Sequence, residues 1–544
     1  MKWGREFTTN LSLRRNYYLA VFSFSILSIL QANNYTSGGI LHPKQATYDV
    51  TYYELSFNIF PEKKFLNAEA TILLDILRPI DSLRLDLVDH YVVNEVKINN
   101  ENFNFTHNDD ILLINLPNDI SGLVKAYVLY EGKPPVAPNP PWNGGFTWSY
   151  DSAGNPWIGM SSANEGGKVF FPCKDHPSDR ADSASITITI PKGLSAASNG
   201  KLLRTIHKNN TSTFYWKTNY PIANYNLNFS IGKFYRYEDQ FISIEGNKMP
   251  IIFYVLEENK GKAPVHIDMA INMIASHEKY FGEYPFIKEK FGLVETPYLG
   301  MEHQTINAYG NSFRYTELGG KPFDWLLLHE LGHEWWGNKV KSKDWSDYWI
   351  HEGICTYADA LYHKEIVGEK GYHKKMALAK SRIKNLIPII PKRNASTDEV
   401  YQGDIYSKGS YIMHSLRFMM GDHKFFRALK GFATLDSFTY NNLVSESDFT
   451  RYFSSVAKKD LSSFVHMMLY TTELPKVTIT NIRKDQYKIE IIGLDIKIPV
   501  EIQTGKRIRR KVIGNKPVFL RSQNVPIIDP NNWYLWHHDF FPDS

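Results

Sequence analysis

A multidomain α+β protein is predicted from three changes of texture along the 544 residues. Period-two alternation dominates up to about residue 236, helical periodicity takes over from about 263, and alternation returns after Pro475. A chain of this length exceeds what one hydrophobic core serves, so roughly two to four domains are expected.

The first domain, residues 45–236, reads as β. TYDVTYYELSFNIF, residues 47–60, places Tyr53, Leu55, Phe57 and Ile59 on one side, the pattern of a half-buried strand. ATILLDIL, ITITI and NLNFSIG repeat it. Within this domain residues 131–167, rich in Pro, Gly and Trp, are expected to form a long ordered loop instead of regular structure. Such loops often line sites.

Residues 237–474 read as helical. Ile267, Ala270, Ile271 and Ile274 recur at helical spacing, and Gly337, Gly368 and Gly421 are expected stop signals for later helices. Residues 475–544 alternate again and close the chain as a small β domain.

The formal net charge of +5 is small for the length, and no long Lys/Arg stripe occurs, so nucleic acid is not an expected partner. GKRIRRK, residues 505–511, is read as a solvated surface turn. Residues 1–32 carry Lys2, Arg5, Arg14 and Arg15 ahead of YYLAVFSFSILSIL, too short to span a bilayer of roughly 30 Å. They are read as a signal peptide, with export to the periplasm or outside the cell. An uncleaved membrane anchor is the alternative. Cys173 and Cys355 are too few for a disulfide framework and are read as two separate buried thiols.

The chemistry concentrates in LLLHELGHEWWGNKV, residues 326–340. His329 and His333, four apart, share one helix face. The apolar flanks bury that helix, where unpaired histidines and glutamates are costly. DYWIHEGICTYAD follows, with eighteen residues between His333 and Glu352. Two helices joined by KVKSKDWS can bring Glu352 to the imidazoles. Two nitrogens, one oxygen and an open position form a catalytic zinc pattern. Glu330, on the same helix, is left free as the base for a zinc-activated water.

VETPYLGMEHQTINAYG lies about thirty residues earlier. It resembles the Gly-x-Met-Glu-Asn signature of the aminopeptidase N-type zinc metallopeptidases, a gluzincin family that includes alanyl aminopeptidases and leukotriene hydrolases. IYSKGS with Tyr406, and FFPCKDHPSD from Phe170 to Pro177, match two further family motifs in the same order. The resemblance implies an N-terminal β saddle, a thermolysin-like, mainly α catalytic domain, and a small C-terminal β sandwich without the large helical C-terminal domain of many relatives. It implies one Zn2+ per chain on His329, His333 and Glu352, and peptides with a free N-terminus as partners. Gly300, Met301 and Glu302 would bind substrate, with Glu302 on the α-ammonium, and Tyr406 would donate to the oxyanion. Glu165 is the counterpart of a second amine contact. His303 replaces the signature's Asn; it could reach a substrate amide, with a protonation that varies with pH. His351 stands where the family commonly has Asn. The expected activity is removal of N-terminal residues from peptides. A zinc endopeptidase of the same clan, or a non-catalytic peptide-binding protein on this scaffold, is the alternative.

Overall fold

Tyr53, Leu55, Phe57 and Ile59 are all buried in the strand Tyr48–Phe60, as their alternation requires. This strand turns through Lys64, in the left-handed region at φ 48°, into the long strand Phe65–Asp86, with Leu55 opposite Ala70 and Phe57 opposite Ala68. Phe65–Asp86 pairs in turn with Ile111–Gly132, and Tyr48–Phe60 runs parallel to Ser183–Pro191. Together with their neighbours they form a nine-stranded sheet. The computed structural model describes residues 35–541 apart from 494, 495 and 515, so the expected signal peptide lies outside the described residues. Among the described residues no helix is long and apolar enough to cross a membrane.

The Pro/Gly/Trp-rich segment 131–167 departs from its expectation. It contains a hairpin, Gly145–Tyr150 against Pro156–Ser161, within a four-stranded sheet. Phe146, Ile158 and Met160 point into the core, which gives this short stretch enough apolar burial to be regular. Asp151 closes its turn by accepting from the Ala153 and Asn155 amides at 3.0 and 2.7 Å. The flanking parts, around Trp142 and Asn164, remain irregular.

A five-stranded sheet then follows, in the order Phe234–Ile242, Lys248–Leu256, Phe291–Glu295, Asn307–Tyr309, Gly300–Met301. The strands from 291 to 309 are buried throughout, so they carry no alternation, and the sequence showed only the helix that precedes them. That helix, α1 (Ala263–Phe281), crosses from one parallel strand to the next. The short strand Gly300–Met301 forms the sheet's edge.

The helices that follow begin with α2 (Trp325–Gly332), α3 (Trp349–Val367), α4 (Glu369–Arg382), the single turn α5 (Thr397–Val400), and α6 (Gly403–Met420), and three more lie between Asp422 and Tyr470. Gly368 and Gly421 end α3 and α6 at φ 75° and 77°, as expected of stop residues. Gly337 does not end α2, which stops at Gly332. Beyond it the chain winds wider, with Asn338, Lys339 and Val340 donating to carbonyls five residues back. In this wider turn the Trp336 carbonyl accepts from the His333 ring at 2.8 Å.

α3 and α6 meet backbone to backbone. A Cβ on Gly353 would lie 2.8 Å from Gly409 Cα, and one on Gly409 would lie 2.9 Å from Gly353 Cα. The two glycines set the separation of the helices that carry Glu352 and Tyr406.

After Pro475 a four-stranded and a three-stranded sheet follow. The basic run 505–511 forms part of the exposed strand Arg507–Ile513, not only a turn. Its Arg510 donates to the Phe418 carbonyl at 2.6 Å and sits 4.3 Å from that ring, tying this sheet to α6.

Replacing Gly409 by Val should overpack the α3–α6 crossing, at a cost of about 1–3 kcal/mol. Calorimetry should show a lowered Tm. Gly403→Ala, where an added Cβ meets nothing within 4 Å, should leave it unchanged or slightly raised.

Candidate metal centre and substrate cleft

Helix α2 is anchored before it begins. Asp324, fully buried, accepts from the Leu326 and Leu327 amides at 2.9 and 3.1 Å, and from the Tyr309 hydroxyl at 2.7 Å. It thus caps the helix and ties it to the five-stranded sheet. Leu327, Leu328 and Leu331 bury the opposite face. His329 and His333 are thereby directed to one side, where α3 presents Glu352.

The three expected ligands converge. His329 Nε2 and His333 Nε2 are 3.3 Å apart, and Glu352 Oε2 lies 3.5 and 3.3 Å from them. A tetrahedral zinc with bonds of about 2.0–2.1 Å requires ligand atoms about 3.3–3.4 Å apart. The triangle fits that ion. Its supports also fit: His333 Nδ1 donates to the Trp336 carbonyl at 2.8 Å, which leaves Nε2 bare for a metal. Behind His329, Asp359 lies 3.7 Å from Nδ1 and is itself paired with Lys375.

Cys355 is the other donor near both imidazoles, within 4.8 Å of their ligand atoms. Its thiol, however, donates to the His329 carbonyl at 3.0 Å and approaches that ring from Nδ1, the nitrogen opposite the triangle. Geometry therefore favours Glu352 as the third ligand. Cys173 and Cys355 are both free and buried.

The triangle opens on a cavity of about 420 Å³. Gly300, Met301, Glu302, Glu330 and Tyr406 line it with the three candidate ligands. Burial raises the pKa of Glu302, and its Oε1 has no hydrogen-bond partner among the described residues. Its backbone carbonyl accepts from Asn338 at 2.8 Å, which joins the signature strand to the turn after α2. Burial likewise pushes Glu330 up to about 8. A Cβ at Gly300 would lie 2.7 Å from Glu330 Oε1 and 2.8 Å from Leu326 Cδ1, so an added methyl would push on both side-chain ends. Tyr406 lies over His329, ring centroids 6.0 Å apart, and burial keeps its phenol protonated.

Two expected substrate contacts do not line this cavity. His303 is wholly buried, accepts from Asn228 at 3.1 Å, and is absent from the cavity wall. Burial pushes its pKa to about 3, so the expected pH-dependent charge is not found. Glu165 is also buried and accepts from the Gly144 amide at 2.6 Å; its neighbours Ala163 and Asn164 line the cavity, but it does not.

The other motif residues brace the site. His351 accepts from the Ser342 amide at 3.0 Å, securing the connection between α2 and α3. Lys408 donates to Asn385 at 2.8 Å and to the Thr471 carbonyl at 3.0 Å, so it is structural. In the Phe170–Pro177 stretch, Cys173 exchanges backbone hydrogen bonds with Asp86. Just beyond it, Arg180 donates to the carbonyls of Asn338, Lys339, Pro221 and Tyr440. This guanidinium pins the turn after α2 to the first sheets.

Sequence reasoning missed Trp142, Trp325, Tyr348 and Tyr401, all of which line the cavity. The Pro-rich context of Trp142 was the one available signal. Glu334 was missed too: it accepts from the Thr305 amide and from Asn307, locking the signature loop to the end of α2.

Comparison with known proteins agrees with this geometry. The Peptidase M1 N-terminal domain model matches residues 49–225, and the Peptidase family M1 domain model matches 266–468. Leucyl aminopeptidase of Saccharolobus solfataricus is 24% identical over 364 residues, covering 62% of this chain and 45% of that protein. Aminopeptidase N of Lactococcus lactis is 22% identical over 408 residues, covering 71% and 47%. The chain thus spans a little under half the length of these relatives. The crystal structure of an M1 zinc metallopeptidase from Deinococcus radiodurans superposes with a TM-score of 0.69 at 23% identity, covering 79% of this chain and 95% of that one. Legionella pneumophila aminopeptidase A gives 0.76 at 17%, covering 91% and 60%. These likenesses establish a shared fold of a β-rich N-terminal part, a helical catalytic part and C-terminal strands. With both models matched in order along most of its length, the chain belongs to peptidase family M1.

Proposed function

We propose that this protein is a zinc aminopeptidase that removes single N-terminal residues from peptides. One observation carries the reading: Glu302, a buried carboxyl group whose Oε1 has no hydrogen-bond partner among the described residues, lines the same cavity as a ligand triangle of zinc dimensions. A carboxylate so placed has use for a cation, and the α-ammonium of a peptide supplies one beside the first peptide bond. His329, His333 and Glu352 would hold the metal, which when bound makes water acidic near neutral pH and polarises a carbonyl. Glu330 takes the proton from the attacking water and delivers it to the leaving amine. Tyr406 donates to the oxygen that becomes negative. His303 and Glu165 have no direct part in this scheme; they hold the loops on which Glu302 and Trp142 sit.

The remaining wall, including Trp142, Leu299, Trp325 and Leu326, is mostly apolar, and its polar members, Asn164, Tyr348, Tyr401 and Gln402, are uncharged. It provides no counter-charge for a charged side chain, so an apolar first residue fits best. We also read the nine-stranded sheet as a β saddle and the two C-terminal sheets as a sandwich. The basic-then-apolar run of residues 1–32 supports export, with a retained anchor as the alternative. N-terminal sequencing of the mature protein distinguishes the two.

Glu330→Gln should retain zinc and lose turnover by several orders of magnitude. Gly300→Ala should lower kcat as well, by displacing Glu330, with zinc content and circular dichroism unchanged. Loss of zinc from the Gln variant would move Glu330 into the ligand set.

A panel of aminoacyl amides should show turnover for Leu, Phe and Met above Asp and Arg, and none for the same compounds N-acetylated. Glu302→Gln should raise KM for the free amines. Efficient internal cleavage of acetylated peptides would instead identify an endopeptidase.

A further inference from the structure

The Tyr406 hydroxyl has a neighbour that the scheme above does not use. Tyr401 Oη lies 3.1 Å from Tyr406 Oη, and the two rings meet edge to face at 6.2 Å and 83°. Neither hydroxyl has another hydrogen-bond partner among the described residues. Tyr401 is held by a break between helices. It ends α5, where its amide donates to the Thr397 carbonyl at 2.8 Å, and the extended Gln402 then starts α6. The Ser396–Glu399 capping box fixes the start of α5, and the Tyr348 ring packs against Tyr401 at 6.0 Å. The residue is therefore placed by backbone and packing, independently of Tyr406.

A phenol has one hydrogen to donate and lone pairs to accept with. In one arrangement Tyr406 donates to Tyr401 and offers nothing to the cavity. In the other, Tyr401 donates to Tyr406, and the Tyr406 hydrogen points into the cavity. Only the second can serve a developing oxyanion. A hydrogen bond accepted by Tyr406 also polarises its own O–H, strengthening the one that it donates.

Resting on the aminopeptidase reading, we propose that Tyr401 is a positioning residue whose hydroxyl orients and polarises that of Tyr406. Tyr401→Phe removes one oxygen and preserves the ring packing. In the zinc-loaded protein it should lower kcat about 5- to 20-fold and leave KM within about 2-fold, because the interaction strengthens only as charge develops. In a Tyr406→Phe background the same change should alter kcat by less than about 2-fold, since the group it acts through is gone.

A binding measurement repeats the cycle without turnover. A phosphinic dipeptide analogue presents a tetrahedral oxygen where the oxyanion would form. Its Kd by calorimetry should weaken on Tyr401→Phe in the wild-type background but not beside Tyr406→Phe, and the Kd of free L-leucine should not move in either. Equal losses in both backgrounds, in either measurement, would overturn the proposal and make Tyr401 an independent contact or a purely structural residue. A wild-type protein that releases no N-terminal residue from any free peptide would overturn the underlying reading, before any variant is made.

Discussion

Three buried carboxyl groups, Glu302, Glu330 and Glu352, face one cavity, and the cost of ionising all three there is the constraint from which the site follows. Two like charges about 4 Å apart repel by about 4 kcal/mol at an effective dielectric near 20. Imidazoles that bind a metal do so in the neutral form and do not offset this. A divalent cation on the triangle and an ammonium beside Glu302 would do so, and each carboxylate would then have a distinct use. Glu352 would complete the ligand set, Glu330 would move a proton and Glu302 would measure the chain end.

Holding these groups in place falls to a few contacts between elements. Asp324 and Glu334 fix the two ends of α2 to the sheet and to the signature loop. Gly353 against Gly409 sets the approach of α3 to α6, and so of Glu352 to Tyr406. α6 extends the influence outward: Ser415 donates to the Trp533 carbonyl at 2.7 Å, and Trp533 stacks on His414 and Phe418. The C-terminal sheets thus rest on the same helix that carries Tyr406. On the other side Arg180, burying its guanidinium among four carbonyls, holds the first sheets against the turn after α2.

What could be read without coordinates followed from periodicity and spacing. The alternation of Tyr53, Leu55, Phe57 and Ile59 identified a strand because one face is buried and the other is not. The convergence of His329, His333 and Glu352 was legible because metal ligation would demand these residue types at these offsets. The strands between 291 and 309 escaped because both of their faces are buried. The hairpin at 145–161 escaped because its strands are short, lie among Pro and Gly, and carry no alternation of buried and exposed residues. Residue type alone also misled at His303: a histidine in a signature suggests chemistry, but complete burial leaves it neutral. Tyr401 gave no signal, since five residues of separation bring two side chains together only when a helix break lies between them.

The most direct test is a crystal structure of the zinc-loaded protein with a bound L-amino acid, with anomalous scattering recorded at the zinc edge. The account predicts one zinc, bound by His329 Nε2, His333 Nε2 and Glu352, and the α-ammonium of the amino acid against Glu302. Zinc held by Cys355, or an amino acid bound with its ammonium away from Glu302, would contradict it.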